Sequence, residues 1–169
     1  LLRRLSASSC KAASSDVIFM DGMTIVDYSP CYGPELVRMW RASFEQGVGI
    51  TDWHPLEDQL RALDEKIVPQ NRVLLVLDPR TSAVIGFVAY TSETVSNLYV
   101  HVDYQNKGIG SMLLDIAKKD SSGVLRLFTF EKNMRARQFY ERHGFKIIRH
   151  GFEEFWQLAD IEYEWVSTV

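Results

Sequence analysis

The stretch Gln105-Asn106-Lys107-Gly108-Ile109-Gly110-Ser111 lies between a predicted strand, residues 95–102, and the start of an amphipathic helix. Its two glycines allow the backbone to turn tightly and to approach a ligand closely. The first N–H groups of a helix have no intrahelical acceptor, and the helix dipole favours negative charge at that end. The segment is therefore suited to bind a phosphate or pyrophosphate, with Lys107 adding a positive charge at its rim.

Two common phosphate-binding motifs are excluded by the same stretch. The Rossmann fingerprint requires a further glycine or alanine where this sequence has Leu113. A Walker loop requires a lysine directly after its last glycine, whereas Lys107 precedes Gly108 here. A lone Gly-x-Gly before a helix is also compatible with a simple tight turn, so the motif needs support from elsewhere in the chain.

Outward from this loop, hydrophobic periodicity predicts seven strands and four helices. The strands are residues 23–28, 72–78, 83–90, 95–102, 124–130, 145–150 and 161–165. The first helix is predicted from Pro34 to a cap at Gly47, and the second from Pro55 through Ile67. The third has its apolar face at Ile109, Met112, Leu113, Ile116 and Ala117, and the fourth runs from a capping Asn133 to Gly144.

The resulting order, β-α-α-β-β-β-α-β-α-β-β, predicts an α/β fold with a mixed sheet. Alternating strands and helices in the second half predict parallel pairing there, and the hairpins elsewhere predict antiparallel pairing.

Composition bounds the class of protein. The chain has 169 residues with 46% hydrophobic and 24% charged residues, which predicts one globular domain. It contains no apolar run approaching about 18 residues, so no membrane association is expected. A net charge of −3 argues against a nucleic-acid partner. Two cysteines and scattered histidines provide no metal site. We expect a cytoplasmic protein.

The first residues differ in composition from the rest. Residues 1–15 contain Arg3, Arg4 and Lys11, several serines and no acid, and without them the chain has 16 basic and 22 acidic residues and a net charge of −6. Such a segment resembles an organelle transit peptide. We favour a misassigned start or a cloned extension, with the true start at Met20 or Met23. The expected division is an N-terminal extension, residues 1–22, and one domain, residues 23–169.

A second motif makes the glycine loop specific. Asn97-Leu98-Tyr99-Val100 followed by Gln105-x-x-Gly108-x-Gly110 resembles the acetyl-CoA signature of the GNAT family of N-acetyltransferases. Asn133 and Tyr140-Glu141-Arg142-His143-Gly144-Phe145 resemble the next landmark of that family, an Asn-capped helix that ends in Tyr-Glu-x-x-Gly-Phe. The order of elements is similar as well, and the resemblance covers residues 23–169.

The resemblance implies acetyl-CoA as cosubstrate and no metal. In this family the fourth and fifth strands splay apart, and the acetyl-pantetheine arm lies in the gap. The arm would pair with the backbone at Leu98, Tyr99 and Val100, whose last amide would polarise the thioester carbonyl. Loop amides would hold the pyrophosphate, and Asn133 would bind the arm or a water besides capping its helix. The implied loop residues are Gln105, Asn106, Lys107, Gly108, Ile109, Gly110 and Ser111.

Tyr140 is the residue that the resemblance assigns to catalysis. Its phenol would protonate the departing CoA thiolate as a general acid, although it would also suit the core beside Phe139. A base for the amine is less defined, because this sequence lacks the glutamate that some members carry within the fourth strand. The candidates near the strand ends are Glu93, His101, Asp103 and Glu131, and a water chain is an alternative.

The acceptor site is implied at residues 47–55 and 150–160. Trp53, His54 and Phe155, with Trp156, are bulky enough to wall a pocket. Acidic residues in the second segment favour a cationic acceptor, or they form an ordinary solvated loop.

These features predict an acetyl-CoA-dependent N-acetyltransferase that acts on a primary amine, of a small molecule or a peptide, by direct transfer in a ternary complex. A homodimer is possible, as in many members of the family. The alternative is a non-catalytic acetyl-CoA-binding sensor. Tyr140 favours the enzyme, whereas the missing strand glutamate leaves the sensor open. A nucleotide-binding oxidoreductase is disfavoured by Leu113.

Overall fold

A computed structural model describes residues 18–20 and 22–168 of the chain. The strands of this part are β1 Ile18–Met20, β2 Met23–Asp27, β3 Arg72–Leu77, β4 Val84–Tyr90, β5 Val95–Val100, β6 Val124–Phe130, β7 Lys146–Glu153 and β8 Leu158–Val166. Its α-helices are α1 Gly33–Val48, α2 Leu56–Ala62, α3 Ile109–Asp120 and α4 Met134–Arg142. The predicted α/β order is confirmed, and β1 precedes it. No helix within the described ranges is long and apolar enough to cross a bilayer.

The strands form two antiparallel sheets that separate between β5 and β6. The first has the order β1-β2-β3-β4-β5 and the second the order β6-β8-β7. They are joined by one parallel bridge between Thr94 and Arg126, next to which the Arg126 amide donates to the Glu93 carbonyl over 2.9 Å. The predicted splay of the fourth and fifth strands is thus confirmed. The predicted parallel pairing is reduced to this bridge, because β8 lies between β6 and β7.

β3 and β4 form the centre of the molecule because both of their faces are covered. Period-two alternation sends Leu74 and Val76 to one face and Leu75 to the other. The first face packs on α3 and the second sheet, and the other face packs on α1 and α2. All seven residues of β4 are buried as a result.

The helix ends differ from the predicted ones at two positions. α1 continues past Gly47 and ends at Gly49, whose φ of 73° is left-handed and whose amide donates to the Glu45 carbonyl. The predicted cap at Gly47 is therefore wrong, because two glycines lie within one turn and only the second adopts the left-handed conformation. α2 is followed by a π-helical turn at Leu63–Ile67, so the predicted helical run continues with altered winding.

Asp78 joins the β3–β4 turn to the segment that precedes the glycine loop. Its carboxylate accepts from the Arg80 and Thr81 amides at 2.8 Å each and from the Tyr104 hydroxyl at 2.7 Å. The hydrogen bond from Tyr104, followed by those from the two amides, lowers the pKa of Asp78 to about 2. Tyr104 is in a 3-10 turn, Val102–Tyr104, that follows β5, so this contact helps to position the glycine loop.

We expect Asp78 to make the fold acid-sensitive. Its folded pKa of about 2 lies below the ordinary unfolded value of about 3.9, so its contribution to stability is complete above that value. The contribution is lost as the pH falls from about 4 through about 2. Urea denaturation of wild type and Asp78→Asn at about pH 6 and about pH 2.5 measures this. The variant should be less stable at the higher pH and should lose less stability on acidification; equal acid sensitivity would contradict the assignment.

Candidate active site

The glycine loop has the backbone geometry of an anion site. Gly108 is the N-cap of α3 with a φ of 84°, and Asn106 has a φ of 61°. Both values are left-handed, which glycine tolerates best and asparagine next. The helical hydrogen bonds begin with the Met112 amide, which donates to the Gly108 carbonyl over 2.9 Å. The amides of residues 109–111 thus have no intrahelical acceptor, and the positive end of the α3 dipole is located here.

A cavity of ≈ 470 Å³ lies between α1, the end of β5, this loop and α4. Its size is within the range of about 300–1,000 Å³ that is typical of small-molecule sites. The predicted cofactor residues that line it are Leu98, Tyr99, Val100, Gln105, Asn106, Gly108, Gly110, Ser111 and Asn133. Ile109 is instead buried in the core, and the Lys107 ammonium lies 5.0 Å from the centroid of the Tyr104 ring.

A smaller cavity of ≈ 80 Å³ occupies the gap between β5 and β6. Both cavities are lined by Leu98, Tyr99, Asn133, Ala136 and Tyr140. The two cavities therefore adjoin at these residues, next to the separation of the sheets.

Pairing with β4 directs alternate backbone amides at the end of β5 toward this gap. The His101 amide donates to the Ile85 carbonyl of β4 over 2.8 Å. Because donors alternate along an antiparallel strand, the Leu98 and Val100 amides point away from β4. The Val100 carbonyl fits this direction, since it accepts from the Ser43 hydroxyl at 2.9 Å and from the Gln105 amide nitrogen at 3.1 Å. β5 therefore directs the Leu98 and Val100 amides toward a ligand in the gap.

Asn133 has the predicted cap geometry. Its Oδ1 accepts from the Ala136 amide over 3.2 Å at the start of α4. Its Nδ2 faces α1, where a Cβ built on Gly47 would lie 2.8 Å away. Gly47 is therefore required for the close approach of α1 to the N-terminus of α4.

Replacing Gly47 with alanine should destabilise the protein only while Asn133 is present. The added methyl would displace the asparagine side chain, and a lost N-cap costs about 1 kcal/mol. In an Asn133→Ala background the clash is absent, so the same change should stabilise the helix by up to about 1 kcal/mol. Urea denaturation of the two single variants and the double variant tests this double-mutant cycle. Additive effects would show that the two residues do not interact.

Tyr140 lines both cavities. It is 7% exposed and packs against Phe139, Phe145 and Tyr163, with ring centroids 5.2, 5.7 and 6.2 Å away. Among the described residues, no hydrogen-bond partner contacts its hydroxyl. Burial raises the pKa of Tyr140 far above the ordinary phenol value, so the group stays protonated at neutral pH. The side chain is both a core aromatic and a potential proton donor to a ligand.

The predicted bases lie outside both cavities. Glu93 is exposed in the turn before β5, at the end of the strand opposite the glycine loop. His101 caps the 3-10 turn after β5, where its Nδ1 accepts from the Asp103 amide over 3.1 Å. Asp103 and Glu131 are exposed. No carboxylate of the described residues lines either cavity.

The predicted acceptor residues come together in part. The His54 ring stacks on Phe155 with centroids 5.0 Å apart and meets the edge of Trp156 at 5.5 Å. The Asp52 carboxylate lies 2.7 Å from Nδ1 of His54. Trp53 is 88% exposed and belongs to no ring contact of the described residues. This aromatic cluster connects the loop after α1 with the β7–β8 turn and does not line the cavities.

Several residues of the larger cavity lie outside the sequence motifs or at a variable position within them. Ser43 and Gln46 come from α1, and Arg135, Gln138 and Arg142 come from α4. The last three recur at helical spacing, which is a weak signal of a polar face, and two of them add positive charge near the glycine loop. Within the described ranges, no group of three or more potential metal ligands comes together.

Residues 69–147 match the model of the acetyltransferase (GNAT) domain. Over 115 residues the chain is 27% identical to the peptidyl-lysine N-acetyltransferase YjaB of Salmonella typhimurium, which covers 68% of this chain and 77% of that protein.

Solved structures show the same fold. The apo form of YjaB from Escherichia coli superposes with a TM-score of 0.70 at 19% identity, covering 86% of this chain and 99% of that one. The protein yncA from Salmonella typhimurium, solved with its cofactor acetyl-CoA, gives a TM-score of 0.62 at 16% identity, covering 85% of this chain and 93% of that one.

Proposed function

We propose that this chain is a GNAT N-acetyltransferase that transfers an acetyl group from acetyl-CoA directly to a primary amine. The observation that carries the proposal is the cavity in which the free edge of β5, the glycine loop, Asn133 and Tyr140 meet. The partial sequence match to an N-acetyltransferase and the shared fold of a protein solved with acetyl-CoA support the same reaction.

The cofactor would extend along two kinds of backbone donor. The unpaired amides at the start of α3 suit the pyrophosphate, with Arg135 and Arg142 adding positive charge at the same cavity. The pantetheine arm would add itself to β5 as an extended strand, because the Leu98 and Val100 amides point into the gap. Asn133 lies where the two cavities join, which is where the arm would enter the gap.

The reaction would follow from this placement. A neutral amine attacks the thioester carbon, and the Val100 amide stabilises the negative charge that develops on the carbonyl oxygen. As the tetrahedral intermediate collapses, the carbon–sulfur bond breaks and Tyr140 gives its proton to the thiolate. The burial that raises the pKa of Tyr140 keeps that proton available at neutral pH. The attacking nitrogen loses one proton, which passes through water and restores the Tyr140 phenol. The products are an acetylated amine and CoA.

The acceptor class is proposed from the relative and from the aromatic cluster between the loop after α1 and the β7–β8 turn. YjaB is a peptidyl-lysine N-acetyltransferase, so a lysine side chain in a peptide is the first candidate. The His54, Phe155 and Trp156 cluster would suit the flexible apolar stem of lysine. Because no carboxylate lines the cavities, the excess proton of the ammonium would leave through water.

A thiol-release assay with acetyl-CoA tests the proposal. We expect turnover with lysine-containing peptides that exceeds turnover with their acetyl-lysine counterparts, polyamines and free amino acids. Acetyl-CoA should also raise the melting temperature of the purified protein. Stabilisation without turnover on any amine would favour the sensor, which the absence of a carboxylate from both cavities keeps in consideration. The absence of stabilisation would contradict both functions.

A further inference from the structure

We propose that His143 is a positioning residue whose protonation turns the Ser111 hydroxyl into a phosphate donor, so that acetyl-CoA binds more tightly when His143 is charged. The inference rests on the proposed function, since it takes the pyrophosphate of the cofactor as the ligand of the glycine loop. It concerns a side chain that the family motif leaves variable and that no sequence pattern singled out.

The geometry around His143 is defined on both sides of its ring. Nδ1 lies 2.7 Å from the Phe139 carbonyl oxygen, and Nε2 lies 2.9 Å from Oγ of Ser111. The ring also rests on the Phe139 ring, with centroids 4.3 Å apart. His143 and Ser111 both line the larger cavity, and Ser111 belongs to the first turn of α3. The imidazole therefore links the end of α4 to the anion site.

These two contacts decide where the protons are. A carbonyl oxygen only accepts, so Nδ1 must carry the proton of the neutral ring. Nε2 then has a lone pair and accepts from the Ser111 hydroxyl, which leaves only oxygen lone pairs of Ser111 for the cavity. When Nε2 becomes protonated it donates to Oγ instead, and the hydroxyl proton is free to bond to a phosphate. Protonation thus adds one donor and one positive charge to the site.

The charged side chains around the ring come from α3 and α4. From α3, the Lys118 ammonium donates to the backbone carbonyl of His143 over 2.7 Å, and Asp115 interacts with Lys118. From α4, Arg142 precedes His143, while Glu141 is directed to the Tyr163 hydroxyl at 2.7 Å. The carbonyl end of α4 favours a cation, whereas the two nearby basic groups oppose it. A bound pyrophosphate would tip this balance toward the histidinium.

Isothermal titration calorimetry with 3′-dephospho-CoA tests the inference. This probe keeps the pyrophosphate and lacks the terminal phosphate monoester, whose second pKa of about 6 would itself titrate in the range used. For wild type we expect binding about tenfold tighter at about pH 5.5 than at about pH 8, the size of one charge-assisted hydrogen bond. Binding at about pH 7 should also take up protons, which is measured by repeating the titration in buffers of different ionisation enthalpy.

Matched variants separate this role from a structural one. His143→Gln should bind with no pH dependence and no proton uptake, and Ser111→Ala should keep only the part due to charge. Lys119→Gln is the control. It removes a cation from the exposed C-terminal end of α3, the helix that contains Ser111, and should behave as wild type. Unchanged proton uptake in His143→Gln, or a pH dependence in Ser111→Ala equal to wild type, would overturn the inference while leaving the proposed function intact. A wild type that binds no probe at any pH would overturn both.

Discussion

Replacing Tyr140 with phenylalanine should lower kcat by about 10²–10³-fold, the range expected for the loss of a general acid. The ring would keep its contacts with Phe139, Phe145 and Tyr163, so the melting temperature should change little. Acetyl-CoA affinity should also be retained, because the pyrophosphate and pantetheine groups bind elsewhere. Steady-state thiol release, together with calorimetric binding of CoA, separates the two quantities.

Tyr163 provides the control for this variant. Its ring neighbours Tyr140, but it is fully buried, lines neither cavity and donates its hydroxyl to Glu141 over 2.7 Å. Tyr163→Phe should therefore lower stability by leaving Glu141 without this donor, while kcat stays near wild type. If both variants lost kcat equally, or if Tyr140→Phe were fully active, Tyr140 would have no role as the acid. Because burial raises the pKa of Tyr140, ionisation of this residue should not reduce kcat between about pH 6 and about pH 9.

Introducing an aspartate at Gly110 should weaken acetyl-CoA binding by about 100-fold or more, equivalent to about 2.7 kcal/mol or more. A carboxylate there would enter the anion site, and two like charges about 4 Å apart repel by about 4 kcal/mol near a protein surface. The new Cβ would also lie 3.3 Å from Cζ of Phe139, which narrows the cavity. An acid in the first turn of α3 is favourable for the helix itself, so the fold should be retained.

Gln70→Glu is the matched control, since it makes the same charge change at an exposed position that lines neither cavity. Binding measured by calorimetry should be unaffected by it at moderate salt, because distant surface charges are screened. Equal affinity of Gly110→Asp and wild type would mean that the cofactor phosphates do not bind at the glycine loop.

Local chemistry explains why most of the fold could be predicted from the sequence. β3 and β4 are apolar on both faces, and α3 has a clear helical stripe, so their type follows from residue periodicity alone. Asn133 and Gly144 bracket α4, because the Asn133 side chain accepts from the Ala136 amide and Gly144 adopts a left-handed φ of 83°. The pairing of β8 between β6 and β7 depends on long-range packing, which short-range pattern does not encode.

The candidate site was predictable where its residues belong to a contiguous motif and unpredictable elsewhere. Residues within contiguous motifs, such as Gly108, Gly110 and Asn133, line the cavity as expected. Glu93 and His101 were chosen for chemical type near a strand end, and their side chains lie outside it. Ser43 and His143 were missed because their contacts join distant segments of chain. In each case a side-chain direction, set by tertiary structure, decides the outcome.

The central position of β8 has a consequence for how the protein is made. The first sheet uses strands up to residue 100, so all its partners have been synthesised before β6 begins. The second sheet differs, because β6 and β7 each pair with β8, which follows both of them in the chain. A nascent chain that ends before residue 158 therefore presents two strands with no neighbour to complete them. Translation pauses in that interval would expose the chain to aggregation, and a truncation there would remove the middle of a sheet rather than its margin.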